Sequence, residues 1–129
     1  MEAGRPVTIP ASPVVLAYVG DAVFELAVRE RLAARGPEKI AELHREAVSL
    51  VRAPAQADFL RRLEPQLTPE EADLVRWARN AKSGPAPRGV PAQEYRHATA
   101  FEALLGHLYL TGRRERLEQL LALLWGSDE

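Results

Sequence analysis

The chain has 129 residues, of which 47% are apolar and 27% charged, with a formal net charge of −1. This balance suits one globular domain and excludes a chain that is disordered throughout. The absence of cysteine excludes disulfide frameworks, thiolate zinc sites and cysteine nucleophiles. No apolar run reaches the roughly 18 residues of a membrane-spanning helix, and residues 1–10 lack a secretory core, so we expect no membrane association and a cytoplasmic location.

The many helix-forming residues, together with the residues that start and end helices, predict an all-α fold. The fold is expected to form a single domain over residues 1–129. Ser12-Pro13 and the capping box from Thr68 to Glu71 mark two helix starts, while Gly36-Pro37 and Gly112 mark two ends. The second helix is predicted to bury one stripe, formed by Ile40, Leu43, Ala47, Leu50 and Val51. Helices are predicted over residues 13–34, 38–51, 55–63, 69–80, 93–111 and 114–125.

An irregular loop is predicted over residues 82–92, because positions 82–91 hold three prolines and two glycines. The wider stretch 76–97 carries five basic side chains and one acidic side chain, in a chain whose net charge is −1. Two interpretations stay open from composition alone. The loop is either a solvated linker or a local electrostatic footprint for an anionic partner such as RNA.

Two acidic residues lie alone in apolar helices. Asp21 is the one charge in PVVLAYVGDAVF (residues 13–24), and Glu102 is the one formal charge in ATAFEALLGHLYL (residues 98–110). Helices that are apolar on most of their circumference are central in a fold. Each carboxylate therefore faces an interior or a cleft, where it must be paired, protonated or bound to a cation.

Each acid has a glycine close by, Gly20 before Asp21 and Gly106 one turn after Glu102. Glycine is unfavourable inside a helix but permits close approach of two backbones. Two helices that cross at these glycines would bring the acids together, and paired carboxylates suit Mg²⁺. The alternative, equally open, is that each acid forms a buried ion pair with an arginine such as Arg29, Arg79 or Arg96.

The segments around the two acids resemble the ribonuclease III family. LAYVGDAVFE resembles the signature helix of that family, and TAFEALLGHLYL resembles its second acidic motif. The intervening segments LHREAVSLVRAPAQADFL and LTPEEADLVRWARNAKSG extend the likeness. The combination is similar to the short bacterial branch, Mini-ribonuclease III, which lacks a double-stranded-RNA-binding domain, over about residues 14–124.

The resemblance implies an all-α homodimeric endoribonuclease with a ribonuclease III-like fold that cleaves double-stranded RNA and leaves 5′-phosphate ends. It implies Mg²⁺ as cofactor, with Mn²⁺ as a substitute, and maturation of the large-subunit (23S) ribosomal RNA precursor as the task. Asp21 and Glu102 match the catalytic, metal-binding acids. Two further acids of the wider family are replaced here by Ala17 and Thr99, which leaves the number of metal ions open.

The resemblance also assigns the RNA contacts to the basic stretch, at Arg79, Asn80, Lys82, Ser83 and Arg96. Glu25 is either a water-mediated contributor to the metal site or a solvated or interface charge. A ribosomal protein is considered as a helper. The alternatives in function are a non-catalytic double-stranded-RNA-binding dimer that retains the fold, and a helical interaction module without an RNA role.

Overall fold

The computed structural model describes residues 9–35, 39–81 and 84–126, and in these ranges all regular structure is helical. The all-α prediction is confirmed, and each predicted helix is present. A one-turn 3₁₀ helix, Glu64–Gln66, was not predicted. The α-helices are α1 (Pro13–Ala34), α2 (Ile40–Val51), α3 (Ala53–Leu63), α4 (Pro69–Asn80), α5 (Ala92–Leu110) and α6 (Arg114–Trp125).

The predicted helix starts are formed by side-chain caps. The Ser12 hydroxyl accepts from the Val15 backbone N–H, and Thr68 and Glu71 form a reciprocal capping box. Some boundaries were wrong: α2 begins at Ile40 and not at residue 38, and α5 ends at Leu110 and not at residue 111. The α3 helix begins at Ala53 and not at residue 55, because Pro54 fits the first helical turn, where its missing N–H costs nothing. The irregular loop ends at residue 91, since Ala92 already belongs to α5. Gly36, Pro37, Lys82 and Ser83 lie outside the described residues.

The α5 helix forms the centre of the fold and packs against α1, α3, α4 and α6. Its Phe101 packs edge-on against Phe24 of α1, with ring centroids 5.0 Å apart, and Phe59 of α3 and Trp125 of α6 also pack against Phe24. Such pairs add roughly 0.5–1.5 kcal/mol to the burial of the rings themselves. The helix that carries Glu102 is therefore held by neighbours on several sides.

The α2 helix lies at the edge and packs on α1 and α3. Ala47 is buried, and Leu43, Leu50 and Val51 are half-buried, as the predicted stripe requires. Ile40 was wrongly assigned to this stripe, because it is the first residue of the helix and remains 78% exposed. An edge helix is covered along its middle, and its end extends past the partners that would bury it.

The predicted crossing of α1 and α5 at their glycines is confirmed. A Cβ atom built on Gly20 would overlap the Glu102 carbonyl and lie 2.9 Å from the Gly106 nitrogen. A Cβ atom on Gly106 would overlap the Leu16 carbonyl and lie 3.0 Å from the Gly20 nitrogen. The two backbones are thus in direct contact, which only glycine permits at both positions.

Candidate active site

The crossing of α1 and α5 brings Asp21 and Glu102 together. Asp21 is exposed and Glu102 is half-buried. Burial, together with the hydrogen bond and the negative charge of Asp21, raises the pKa of Glu102 to about 8. The two carboxyl groups therefore share one site that opens to solvent on the Asp21 side.

The ion-pair alternative for these acids is not what the structure shows. Arg29 pairs with Glu25, with 3.1 Å between nitrogen and oxygen, and Arg79 lies 3.8 Å from Glu64. Within residues 9–35, 39–81 and 84–126, no lysine, arginine or histidine lies within 4.0 Å of either Asp21 or Glu102 as an ion-pair partner. Two facing carboxylates repel each other when no cation lies beside them, and a bound divalent ion would remove this repulsion.

The site offers two carboxylates and not a larger cluster. No group of three or more His, Cys, Asp or Glu side chains able to hold a metal ion occurs in the described part of the chain. Ala17 and Thr99 are buried, and the Thr99 hydroxyl donates to the Tyr95 carbonyl at 2.9 Å. The donor set fits Mg²⁺, because Mg²⁺ accepts one or two carboxylates and keeps several waters.

Glu25 lies on α1 one turn after Asp21 and is engaged by Arg29 in a partly exposed ion pair. Its negative charge contributes to the raised pKa of Glu102, as the smallest of the named causes. The ion pair of Glu25 with Arg29 agrees with the second interpretation of Glu25, a solvated charge near the rim of the site.

Gln56 is a member of the site that the sequence analysis missed. It lies in α3, is 2% exposed, and its Nε2 donates to the Val51 carbonyl at 3.0 Å. A hydrogen bond from Gln56 lowers the pKa of Glu102 and opposes the effects of burial and Asp21. The only sequence signal was a lone amide in the helix APAQADFL, and its partner becomes visible only when α3 packs on α5.

A basic cleft of about 260 Å³ lies between the end of α4 and the start of α5. The His97 Nδ1 lies 2.9 Å from the Gln93 carbonyl; because a carbonyl only accepts, Nδ1 is the donor. Lys82 and Ser83 lie outside the described residues, and Gln93 and His97 were not predicted. The cleft is lined by Arg79, Asn80, Gln93, Arg96 and His97.

An exposed apolar face runs along α1. Tyr18 is 81% exposed and Leu26 is 59% exposed, and Val14 and Val15 are also exposed. A cleft of about 720 Å³ lies beside this face, and its lining includes Asp21, Glu25 and Tyr109. Exposed apolar side chains grouped along one helix are typical of interaction surfaces in folded domains. None of the described helices combines the length and the apolarity that crossing a bilayer would need.

The fold and the site define a class: a helical protein whose paired carboxylates and basic cleft suit a divalent cation and a phosphate backbone. Residues 14–113 match the Ribonuclease III domain. The chain is 49% identical over 121 residues to the Mini-ribonuclease 3 of Symbiobacterium thermophilum, covering 94% of this chain and 92% of that one. It is 47% identical over 122 residues to the Mini-ribonuclease 3 of Synechocystis, covering 95% and 83%.

A crystal structure of a Fusobacterium nucleatum protein superposes with a TM-score of 0.82 at 27% identity, covering 92% of this chain and 95% of that one. The chain belongs to the ribonuclease III family. Members of this family are endoribonucleases that act on double-stranded RNA, leave 5′-phosphate ends and generally use divalent metal ions. The resemblance found in the sequence is thereby confirmed, and the enzyme class with it.

Proposed function

We propose that this protein is a Mg²⁺-dependent endoribonuclease that matures the 23S ribosomal RNA precursor in the cytoplasm. The chain would act as one catalytic domain over residues 1–129. The observation that carries the proposal is the Asp21–Glu102 pair, two facing carboxylates with no cationic side chain of the described residues beside them. The relatives named Mini-ribonuclease 3 support this choice within the family.

Asp21 and Glu102 would hold the Mg²⁺ ion, with Mn²⁺ as a substitute. When bound, the ion supplies Lewis-acid activation of the scissile phosphodiester and of the water nucleophile. Because the pKa of Glu102 is about 8, its carboxyl group carries a proton at neutral pH in the metal-free protein. Metal binding must therefore displace that proton, which makes the affinity rise with pH.

The basic cleft would hold the RNA backbone. Arg79 and Arg96 supply guanidinium groups and Asn80 supplies an amide. Lys82 and Ser83 follow Asn80 after one intervening alanine in the sequence. Such groups suit phosphate and 2′-hydroxyl contacts across the wide minor groove of duplex RNA. Arg96 lies six residues before Glu102 on α5, roughly 9 Å along the helix axis, so one rigid helix would relate backbone binding to the carboxylates.

A homodimer would form through the exposed face of α1. Tyr18 and Leu26 would be buried against the second copy, and Asp21 lies on the same helix. Two copies would double the basic footprint, and a two-fold axis suits the near-symmetric backbone of an RNA duplex.

Cleavage of a defined duplex tests the proposal. The purified protein is incubated with an RNA that pairs the two ends of the 23S precursor, naked or bound to ribosomal protein, in Mg²⁺ or EDTA. We expect cleavage that requires the metal, leaves 5′-phosphates and disappears in Asp21→Asn, while Asp58→Asn, at an exposed position of α3, cleaves normally. Salt-sensitive binding without cleavage would instead support a non-catalytic RNA-binding dimer and refute the proposal.

A further inference from the structure

We propose that the exposed side chain of Trp77 on α4 forms a pocket for one unpaired nucleobase of the RNA, next to the basic cleft. The inference rests on the proposed function, because it takes double-stranded RNA to be the partner held at that cleft. Such a pocket would make the protein prefer a duplex flanked by unpaired nucleotides.

Trp77 presents a large aromatic side chain to solvent, with 43% of its surface exposed. It does not belong to the face of α4 that packs in the core, whose buried positions are Glu71, Val75 and Ala78. The other tryptophan of the chain, Trp125, stacks on Phe24 with ring centroids 6.3 Å apart. The Trp77 ring therefore keeps a surface on which a ligand can stack.

A pocket of about 370 Å³ lies beside Trp77 at the end of α4. Its lining consists of Asp73, Arg76, Trp77, Asn80 and Ala81. The first four of these follow the i, i+3, i+4, i+7 spacing that places side chains on one face of a helix. One face of α4 thus combines an aromatic ring with an amide and an ion pair.

The polar groups of this pocket favour a neutral base over a phosphate. The Arg76 guanidinium lies 2.7 Å from the Asp73 carboxylate, so positive and negative charge are balanced there. A phosphate would meet the Asp73 carboxylate, which repels it. A base would instead stack on the Trp77 ring, and its edge would meet side chains that can donate and accept hydrogen bonds.

Asn80 connects this pocket to the basic cleft, because it lines both. Trp77 lies three residues before Asn80, roughly 4.5 Å along the axis of α4. RNA held at the cleft would therefore pass within reach of the ring. Bases inside a duplex are covered by their stacked neighbours, so the ring can accept only a base that lies outside the duplex.

RNA binding in EDTA tests the proposal, because metal-dependent cleavage does not occur there. Three labelled RNAs share one duplex. The first is blunt-ended, the second carries unpaired nucleotides on both strands at each end (the forked RNA), and the third carries abasic nucleotides at the same places (the abasic RNA). By fluorescence anisotropy we expect the wild type to bind the forked RNA about tenfold more tightly than the abasic RNA, which is the effect of about one stacked base. The two RNAs carry equal charge, so the difference reports the bases alone.

Trp77→Ala should lower this affinity ratio to about one, while Trp77→Phe should keep most of it, because phenylalanine retains a ring for stacking. Leu123→Ala is the matched control, since Leu123 is 47% exposed on α6 and lines neither the pocket nor the cleft. It should keep the wild-type ratio. Circular dichroism checks that each variant is folded.

Tryptophan emission gives a second readout that does not depend on the alanine variant. The forked RNA should quench the emission of the wild type more than the abasic RNA does, since a base stacks directly on Trp77. In Trp77→Phe this difference should vanish although binding persists, because Trp125 is then the one tryptophan left. Equal quenching differences in the wild type and Trp77→Phe would contradict stacking on Trp77.

The outcomes separate this inference from the function on which it rests. An affinity ratio near one in the wild type overturns the base pocket and leaves the cleavage proposal standing, since cleavage depends on Asp21 and Glu102. A wild-type ratio in Trp77→Ala also overturns the pocket and would leave the ring to a protein partner. A tenfold ratio that Trp77→Ala removes supports the pocket even if no duplex is cleaved in Mg²⁺, a result that refutes the proposed function alone. Failure of the wild type to bind any of the three RNAs overturns both.

Discussion

Gly20 on α1 and Gly106 on α5 face each other, and each lies where a side chain would strike the backbone of the opposite helix. The backbone that Gly20 contacts most closely is that of Glu102, and the residue after Gly20 is Asp21. The close approach that completes the core is therefore the same contact that brings the two carboxylates together. A change at either glycine alters packing and active-site geometry together.

Gly20→Ala tests this double role. The added Cβ would overlap the Glu102 carbonyl, so we expect a loss of about 3 kcal/mol or more in the free energy of unfolding, since the backbone must move. Gly112→Ala is the control: φ is 77° there and no atom lies within 4 Å of the added Cβ, so about 1–2 kcal/mol is expected. Urea unfolding compares the two. Equal losses would show that the helices separate at little cost.

Glu102→Gln should stabilise the metal-free protein at high pH. Burial and Asp21 raise the folded pKa of Glu102 to about 8 from the ordinary 4.5. Between these values the folded protein keeps a proton that the unfolded chain releases, so its stability falls as pH rises through this window. In EDTA at pH 9 we expect a gain of about 1–3 kcal/mol over wild type, after allowance for solvent screening, and little difference at pH 4.

Urea titrations of both proteins at the two pH values give the measurement. The cost of the stabilised variant should be the loss of metal-dependent cleavage, which is a trade of activity for stability typical of active sites. A pH-independent difference between the proteins would contradict the mutual destabilisation of Asp21 and Glu102.

Arg116→Met should destabilise the junction of α4 and α6. The Arg116 guanidinium donates to both Glu71 oxygens at 2.8 Å and to the Gln66 carbonyl, and Glu71 is buried. We expect a loss of about 2–3 kcal/mol, because a buried carboxylate loses its partner but keeps its Thr68 hydrogen bond. Arg76→Met, which breaks an exposed pair with Asp73, should cost under about 0.5 kcal/mol.

The ion pair between Arg116 and Glu71 should make the stability of the protein depend on pH. The Arg116 hydrogen bond lowers the pKa of Glu71 despite its burial. The ion pair therefore contributes fully to the free energy of unfolding above the ordinary pKa of about 4.5. This contribution is lost as the pH falls through the lowered pKa of Glu71. Acid unfolding of Arg116→Met should lose part of this slope, and an unchanged slope would assign acid sensitivity to other groups.

The helices could be predicted from the sequence because the residues that start and end them act through local contacts. Ser12 and the Thr68–Glu71 box set helix starts through contacts within one turn, and they stand where the sequence placed them. Asp21 and Glu102 were found because a lone charge in an apolar helix is conspicuous. Gly20 and Gly106 then suggested how those helices meet, which the structure confirms.

What the sequence could not supply are contacts between elements far apart in the chain. Gln56 and Glu102 are 46 positions apart, and Arg116 and Glu71 are 45 positions apart; neither pair has a spacing rule. The assignment of Ile40 to the buried stripe of α2 was wrong for a different reason. Helical periodicity locates the buried face of a helix but does not say how far along that face the partner helix extends.

Tyr18→Glu should prevent self-association if α1 forms the dimer face. The side chain is 81% exposed in an apolar surface, where a buried carboxylate without a partner would be costly. Ile40→Glu is the matched control, because Ile40 is 78% exposed on α2 and outside that face. Light scattering after size-exclusion chromatography should give a dimer for wild type and Ile40→Glu and a monomer for Tyr18→Glu. A monomeric wild type would reject the dimer.

Removal of both arginines of the basic cleft should reduce the salt dependence of RNA binding. Each lysine or arginine that neutralises a phosphate adds roughly one unit to the slope of log affinity against log salt. Arg79→Ala with Arg96→Ala should therefore lower the slope by roughly two and weaken binding to all duplex sequences alike, with folding intact because neither arginine is buried. Arg45→Ala with Arg61→Ala, at exposed positions of α2 and α3, removes the same charge outside the cleft and serves as the matched control. A wild-type slope in the double variant would exclude the cleft from RNA binding and direct the search to the other basic surfaces of the chain.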